Sequence, residues 1–141
     1  MDFRATYGAE VRTFIGRALQ DADAIPEDSL VAAERQLGYR IPTCLRTLYE
    51  VAGNCAELVS VHNHLLKPQE LTLDGDWLVF MNENQGVVSW GFRAQDLSES
   101  NPIVWQRNNT PPVEWYSEDK DFVGFLNAML EWYSKSGIWE S

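Results

Sequence analysis

The residues best suited to metal chemistry are the two histidines, His62 and His64. Side chains at positions i and i+2 of a strand project from the same face, so these imidazoles could share one metal ion. Glu70 or Cys55 could supply a third ligand and leave one coordination position open for water or substrate. No further histidine follows in the chain. A metal-dependent enzyme is therefore the least favoured function, and we expect neither a bound metal nor a cofactor.

Other catalytic arrangements have little support in the sequence. Cys44 or Cys55 could act as a nucleophile beside a histidine, although a buried cysteine more often behaves as a small apolar side chain. The chain contains no Gly-x-Ser-x-Gly elbow, no phosphate-binding P-loop and no dinucleotide fingerprint. Asp74 and Asp76 fit a turn better than an acid–base pair. These observations favour a protein that binds over one that catalyses.

An aromatic and acidic segment in the last third of the chain is the strongest candidate for an interface. Its aromatic side chains are of the kind that anchor protein interfaces, and its carboxylates suit a basic partner. Trp90, in contrast, is expected in the core. The predicted partner-binding residues are Glu114, Trp115, Tyr116, Glu118, Asp74 and Asp76.

The chain is acidic, and its acidity is uneven. It has 21 acidic and 11 basic residues, which gives a formal charge of −10. Residues 1–50 contain 8 acids and 6 bases, whereas residues 51–141 contain 13 acids and 5 bases. Such a charge repels nucleic acid and anionic lipid and attracts basic proteins. We therefore expect a basic protein partner, and neither nucleic acid nor a membrane.

Length and cysteine content bound the type of protein. With 141 residues, 45% of them hydrophobic, the chain has material for one core, so we expect a single domain over residues 1–141. Two cysteines are too few for a disulfide framework, and the N-terminal residues lack the apolar run of a secretory signal. No stretch approaches the ~20 apolar residues that a membrane helix needs. A cytoplasmic protein is expected, and no pattern specifies its oligomeric state.

Helical periodicity and helix-end signals dominate residues 9–53. Apolar residues recur at helical spacing, prolines stand at plausible helix starts, and glycines stand at plausible helix ends. These signals predict three helices: one whose apolar face runs from Val11 to Leu19, one from Pro26 to Leu37 ending at Gly38, and one from Pro42 ending at Gly53.

Strand patterns replace helical ones after residue 53. Residues 58–66 and 70–73 are expected to form short strands or irregular connections. Residues 77–92 predict a hairpin around the turn from Asn82 to Gly86. Further strands are predicted from Ile103 and over residues 113–116. The whole span fits five or six antiparallel strands.

A helix is the last predicted element. Ser117 is a suitable cap, and Glu118, Asp119 and Asp121 would then lie in the first turn, where they complement the helix dipole. An apolar stripe follows from Phe122 to Tyr133. Helices, then strands, then a helix indicate an α+β fold with the helices packed on an antiparallel sheet.

Four local patterns in this order resemble the SUKH superfamily, which includes fungal cell-wall-assembly regulators and bacterial immunity proteins of polymorphic toxin systems. The resemblance covers about residues 25–135. It is carried by Glu34, Leu37, Gly38, Pro42, Tyr49, Gly53 and Asn54 in the helices, Gln85, Gly86 and Trp90 in the hairpin, NPIVW at 101–105, and the helix from about Asp119. The chain departs from the family pattern at Cys55 and at Asn101.

The resemblance implies a protein-binding function. We expect an immunity protein that binds a cognate toxin domain and neutralises it by stoichiometric inhibition, not an enzyme. The alternative is a regulatory or adaptor module like the fungal members of the family. The residues that carry the resemblance are explained by helix ends, turns and the core, so they identify a scaffold and no binding site.

Overall fold

A computed structural model describes the backbone of residues 1–140 and the side chains of residues 1–135. This part of the chain forms five α-helices and a six-stranded antiparallel sheet, which confirms the predicted α+β fold. The helices are α1 Phe3–Ile15, α2 Glu27–Leu37, α3 Thr43–Ala52, α4 Ala56–Val59 and α5 Phe122–Glu140. The strands are β1 His64–Leu65, β2 Leu73–Asp74, β3 Trp77–Asn82, β4 Val88–Arg93, β5 Ile103–Asn108 and β6 Glu114–Asp121.

The sheet follows the order β1-β3-β4-β5-β6, and β2 also pairs with β3. All neighbouring strands run antiparallel. The hairpin predicted over residues 77–92 is the β3–β4 pair, at the centre of the sheet. Strand β6 is paired on one side only and forms an edge of the sheet. No helix in the described part of the chain is long and apolar enough to cross a membrane.

The second and third predicted helices are confirmed, whereas the first is misplaced. Helix α1 begins at Phe3, where the Asp2 side chain accepts a hydrogen bond from the Ala5 N–H at 3.1 Å. It ends at Gly16, which adopts the left-handed conformation at a φ of 73°. Leu19 therefore lies outside it. The apolar spacing predicted a helix here, but the caps decide where it starts and stops.

The predicted start of the last helix is wrong. Ser117 lies within β6, opposite Trp105, and the strand continues to Asp121. Glu118 and Asp119 therefore belong to a strand and not to a first helical turn. Asp121 is the residue that caps α5, since it accepts a hydrogen bond from the Gly124 N–H at 2.8 Å. Pairing with β5 overrides the local capping signal of Ser117 because each paired residue gains ladder hydrogen bonds.

The core lies between the helices and one face of the sheet. Phe122, the first residue of α5, packs its ring against Phe80 of β3 at 5.3 Å and Phe92 of β4 at 5.8 Å. Tyr7 of α1 meets the same ring edge-on at 6.5 Å. All four aromatic side chains are fully buried. Phe122 thus joins α1, α5 and the two central strands.

Two arginines tie the N-terminal helices together. Arg17, after α1, donates to Asp23 at 2.9 Å and to Glu57 of α4 at 2.8 Å. Arg46 of α3 forms ion pairs with three carboxylates, those of Glu27, Glu34 and Glu50. Four of the eight acids of residues 1–50 are therefore paired with arginines.

Gly91, in the middle of β4, allows the close approach of β3. A Cβ atom on Gly91 would lie 2.5 Å from the Leu78 carbonyl oxygen and 3.2 Å from Val79 Cα, and both belong to the backbone of the paired strand. We expect Gly91→Ala to lower the free energy of unfolding by about 1–3 kcal/mol because the strands must separate to admit the methyl group.

The matched control for that substitution is Gly8→Ala in α1, where a Cβ would meet nothing within 4 Å. It is expected to keep or raise stability by up to about 1 kcal/mol, since alanine favours a helix interior over glycine. Urea unfolding measures both variants. A Gly91→Ala protein as stable as the wild type would contradict the close packing of β3 on β4.

The contact between Arg17 and Asp23 predicts a pH dependence of stability. The Arg17 guanidinium holds the pKa of Asp23 at about 2, below its usual 3.8. A carboxyl with a lowered pKa stabilises the fold above its unfolded pKa, and this stabilisation is lost as pH falls through the folded value. The contribution of Asp23 is therefore complete above about pH 4 and disappears towards pH 2.

Substitution tests that contribution directly. We expect Asp23→Asn to lower stability at pH 7 and to flatten the loss of stability between pH 4 and pH 2 in urea unfolding. Asp21→Asn is the control, because Asp21 is exposed and two residues away. Parallel pH profiles of Asp23→Asn and the wild type would exclude this role for the ion pair.

Candidate functional site

Strand β6 sends the predicted interface residues to opposite faces of the sheet. Tyr116 is paired with Gln106, which is in turn paired with Trp90, and Trp90 faces the helices. Trp115 is paired with Arg107, which is paired with Ser89, and these residues face away from the helices. The predicted aromatic patch of Trp115 and Tyr116 is therefore divided between two surfaces.

The face without helices carries a layer of three tryptophans and two arginines. Trp77 stacks on Trp115 with ring centroids 3.9 Å apart and planes 6° apart, and it meets Trp105 edge-on at 5.5 Å. Arg93 lies over Trp105 at 4.9 Å, and Arg107 lies over Trp115 at 5.6 Å. We call Trp77, Trp105, Trp115, Arg93 and Arg107 the tryptophan layer.

The tryptophan layer covers the centre of the sheet. Ser89 of β4, on this face, is only 1% exposed although no helix covers it. Gly91 beside it is also buried. Small residues on the central strand leave space for the long indoles, which reach across β4 from both sides. The tryptophan layer therefore shields the centre of this face of the sheet from solvent.

Asp74 and Asp76 have different surroundings. Asp74 forms an ion pair with Arg107 at 2.9 Å, so it lies at the border of the tryptophan layer. Asp76 is exposed in the turn before β3, and its carbonyl oxygen accepts a hydrogen bond from the Ala94 N–H at 2.7 Å. Asp74 and Trp115 therefore both contact Arg107, on the face of the sheet that no helix covers.

A groove of about 550 Å³ lies on the helix face, between β4–β6 and α5. Apolar side chains of the sheet and of α5 form its walls, and carboxylates and amides complete the lining. We call it the acid–aromatic groove and define it by Glu83, Trp90, Gln106, Glu118, Phe125 and Trp132. It includes Glu118, one of the predicted interface residues, whereas Glu114 and Tyr116 lie further along the same edge and hydrogen-bond to each other.

The aromatic walls of this groove differ in exposure. Trp90 is 6% exposed, as expected for a core residue, and it packs on Phe125 with centroids 5.7 Å apart. Its indole N–H donates to Glu118 Oε2 at 2.8 Å, which fixes the carboxylate at the groove wall. Trp132 of α5, in contrast, is 58% exposed. The Trp90 side of the groove is therefore buried, and the Trp132 side presents an open indole.

The carboxylates of the groove lack ionic partners. Among the residues whose side chains are described, Arg4, Arg17, Arg46, Arg93 and Arg107 each form an ion pair with a carboxylate outside the groove. Glu83 and Glu118 form no salt bridge with any basic side chain in that part of the chain, although Lys120 lines the same groove. The two carboxylates are therefore not ion-paired, and together with Lys120 they give the groove lining a net charge of −1 (two acids and one base).

The side chains of His62 and His64 do not meet at one site. His62 stacks on Tyr133 with ring centroids 4.3 Å apart, whereas His64 lies 3.7 Å from Glu70. Cys55 is buried elsewhere, in contact with Arg17 and Glu57. Within residues 1–135, no group of three or more His, Cys, Asp or Glu side chains could hold a metal ion.

Both cysteines have the properties of buried apolar side chains. Each is 0% exposed, and burial raises the pKa of both thiols. The side-chain partners of the Cys55 thiol are Arg17 and Glu57 and not a histidine. A thiol with a raised pKa is a poor nucleophile at neutral pH because little thiolate is present.

Sequence reasoning missed three residues of the groove. Glu83 and Gln106 were not singled out, since nothing in their spacing distinguishes them from other surface residues. Trp132 had a detectable signal, because it falls outside the apolar stripe from Phe122 to Tyr133 that α5 buries. A large aromatic residue off the buried stripe of a helix is a candidate for contact with another molecule.

No family model, no curated protein and no solved structure matches this chain. The resemblance to the SUKH superfamily therefore remains an expectation from the sequence.

Two tryptophan substitutions compare the contributions of the tryptophan layer and of the groove to the free energy of unfolding. Trp115→Ala removes a stacked, half-buried indole, so we expect it to lower the free energy of unfolding by about 2 kcal/mol. Trp132→Ala removes a mostly exposed indole and should change stability by no more than about 0.5 kcal/mol. Urea unfolding gives both values. Equal effects of the two substitutions would contradict the packing role of Trp115.

Proposed function

We propose that this protein binds a basic protein partner through the acid–aromatic groove and the adjoining edge of β6. The observation that carries the proposal is the pair of carboxylates, Glu83 and Glu118, that form no salt bridge with any basic side chain among the described residues, although Lys120 lines the same groove. They lie in one groove with the exposed indole of Trp132. A groove with unpaired carboxylates and an open aromatic side chain is suited to a partner of opposite charge.

The electrostatics of the whole chain support the same partner. With a net charge of −10, the protein attracts cationic molecules over distances of about a Debye length, roughly 10 Å at 0.1 M salt. Many acids of residues 1–50 are already paired with Arg17 and Arg46. The remaining charge is therefore more available around the sheet edge and the groove.

Strand β6 adds an argument about the kind of partner. It is an edge strand, and its eight residues include the acids Glu114, Glu118, Asp119 and Asp121 and one base, Lys120. Edge-to-edge pairing with a second copy would bring two acidic strands together, which is unfavourable. A different chain with basic residues meets no such repulsion. We therefore infer a heterologous partner.

The more specific proposal is that the protein is an immunity protein. It would neutralise a cognate toxin domain by forming a stoichiometric complex that covers the active site or substrate path of the toxin. Two observations support this: the order of local patterns that resembles the SUKH superfamily, and the unpaired carboxylates of the acid–aromatic groove. Buried aromatic contacts would slow dissociation of the complex, while charge would speed association.

Co-expression with the product of the adjacent gene tests the function. We expect a one-to-one complex after purification, and restored growth of cells that produce the toxin domain. The function is refuted if the neighbouring gene encodes no toxin and its product neither co-purifies nor affects growth. Several partners bound with micromolar affinity would instead favour the adaptor alternative.

The groove is tested by a charge-removing double substitution, Glu83→Gln with Glu118→Gln. Glutamine can still accept the Trp90 hydrogen bond, so the variant loses charge and keeps geometry. We expect about tenfold slower association with the partner at low salt, because electrostatic steering is reduced, and little change in dissociation. Stopped-flow kinetics at two salt concentrations measures this.

The control is the double variant Glu99→Gln with Glu131→Gln, which removes the same charge from exposed positions outside the groove. Its association rate should fall less than that of the groove variant, since neither carboxylate lines the groove. Equal slowing by both double variants would show that net charge matters and that the groove does not.

A further inference from the structure

We infer that the acid–aromatic groove receives an arginine side chain of the partner. The inference rests on the proposed function, since the partner supplies that side chain. It specifies which chemical group occupies the groove. The argument comes from the walls of the groove, its free hydrogen-bond acceptors and a repeated arrangement elsewhere in the same fold.

The walls suit a flat cation. Trp132 offers an indole that is 58% exposed, and Trp90 packs on Phe125 at the opposite wall. A guanidinium group is planar and weakly hydrated, so it stacks on aromatic faces more readily than an ammonium group does. The volume of about 550 Å³ lies in the usual range of binding pockets, roughly 300–1,000 Å³, and it admits a complete side chain.

The acceptors suit a group with several donors. Glu118 uses Oε2 for Trp90, and Glu83 uses Oε1 for the Val87 N–H at 3.1 Å. The other carboxylate oxygen of each residue has no hydrogen-bond donor among the described residues. Gln106 adds an amide oxygen to the same groove. A guanidinium has five N–H donors in one plane, whereas an ammonium has three on one atom.

The opposite face of the sheet already contains this arrangement twice. In each case an arginine lies over an indole and is ion-paired with a carboxylate. The two sets are Arg93 with Trp105 at 4.9 Å and Asp96 at 3.1 Å, and Arg107 with Trp115 at 5.6 Å and Asp74 at 2.9 Å. The groove has the indoles and the carboxylates, and its lining within residues 1–135 includes Lys120, which forms no salt bridge with them, but no arginine.

Small amides of single amino acids test the inference on the full chain. The probes are acetyl-arginine amide, the neutral acetyl-citrulline amide of nearly the same shape, and acetyl-lysine amide. The readout is the set of indole N–H resonances in the proton–nitrogen NMR spectrum. We expect saturable shifts at Trp90 and Trp132 with the arginine probe, at least about tenfold weaker binding of citrulline, and about threefold weaker binding of lysine.

Substitutions locate the binding. Glu118→Gln should weaken binding of the arginine probe about tenfold, and Trp132→Ala about threefold, while Glu99→Gln, at an exposed position that does not line the groove, leaves it unchanged. Trp132→Ala changes an exposed residue, so it stays informative even if Glu118→Gln were to disturb the fold. Circular dichroism confirms folding of each variant.

The inference is overturned if no saturable shift appears, if citrulline or lysine binds as well as arginine, or if both Glu118→Gln and Trp132→Ala bind like the wild type. Its failure is separable from that of the proposed function. A toxin complex that forms normally while the arginine probe does not bind refutes only the arginine site. Specific arginine binding in a chain with no protein partner refutes the proposed function.

Discussion

The structure depends on the burial of Phe122 at the point where β6 becomes α5. The strand ends at Asp121 and the helix begins at the next residue, so no loop intervenes. Two contacts fix this junction: Asp121 caps the helix, and the Phe122 N–H donates to the Pro102 carbonyl at 3.0 Å. The ring of Phe122 packs on Phe80 and Phe92, so the start of the helix is held against the central strands. The acid–aromatic groove is the space left between α5 and the outer strands.

The two faces of the sheet are covered by different kinds of side chains. The helix face packs aromatic and aliphatic side chains against α1, α3 and α5. The other face has no helix, and the tryptophan layer covers it, with Arg93 and Arg107 held by Asp96 and Asp74. Exposed ion pairs of this kind contribute little free energy individually, so the stacked indoles provide most of the cover. Because these arginines are committed to that face, none of them balances the carboxylates of the groove.

The acidic residues in the two parts of the chain therefore differ in their surroundings, which composition alone does not show. Four of the eight acids of residues 1–50 form ion pairs with arginines, as the contacts of Arg17 and Arg46 show. In the second part of the chain, Glu83 and Glu118 lie among aromatic walls without an ion-pair partner among the described residues. Glu118 is oriented by a hydrogen bond from Trp90, which lies 28 residues away in the sequence. Composition shows only the total charge of the chain. The structure shows that two of the carboxylates lie in one groove.

The sequence by itself determined the elements whose signals are local. Pro26 and Gly38 bound α2, Pro42 and Gly53 bound α3, and the turn from Asn82 to Gly86 defines the central hairpin. Each signal acts through the conformation of one or two residues, so it can be detected without knowledge of the rest of the chain. The α+β class follows from the order of these elements.

Only the tertiary structure decided the start of α5 and the composition of the site. Ser117 has the chemistry of a cap, but pairing with β5 holds it in a strand. Alternation along β6 then sends Trp115 and Tyr116 to opposite faces, although they are neighbours in the sequence. Glu83, Trp90, Glu118 and Trp132 meet because the turn after β3, two strands and a helix bring them together. Strand pairing and helix packing join residues far apart in the chain, and no local pattern contains that information.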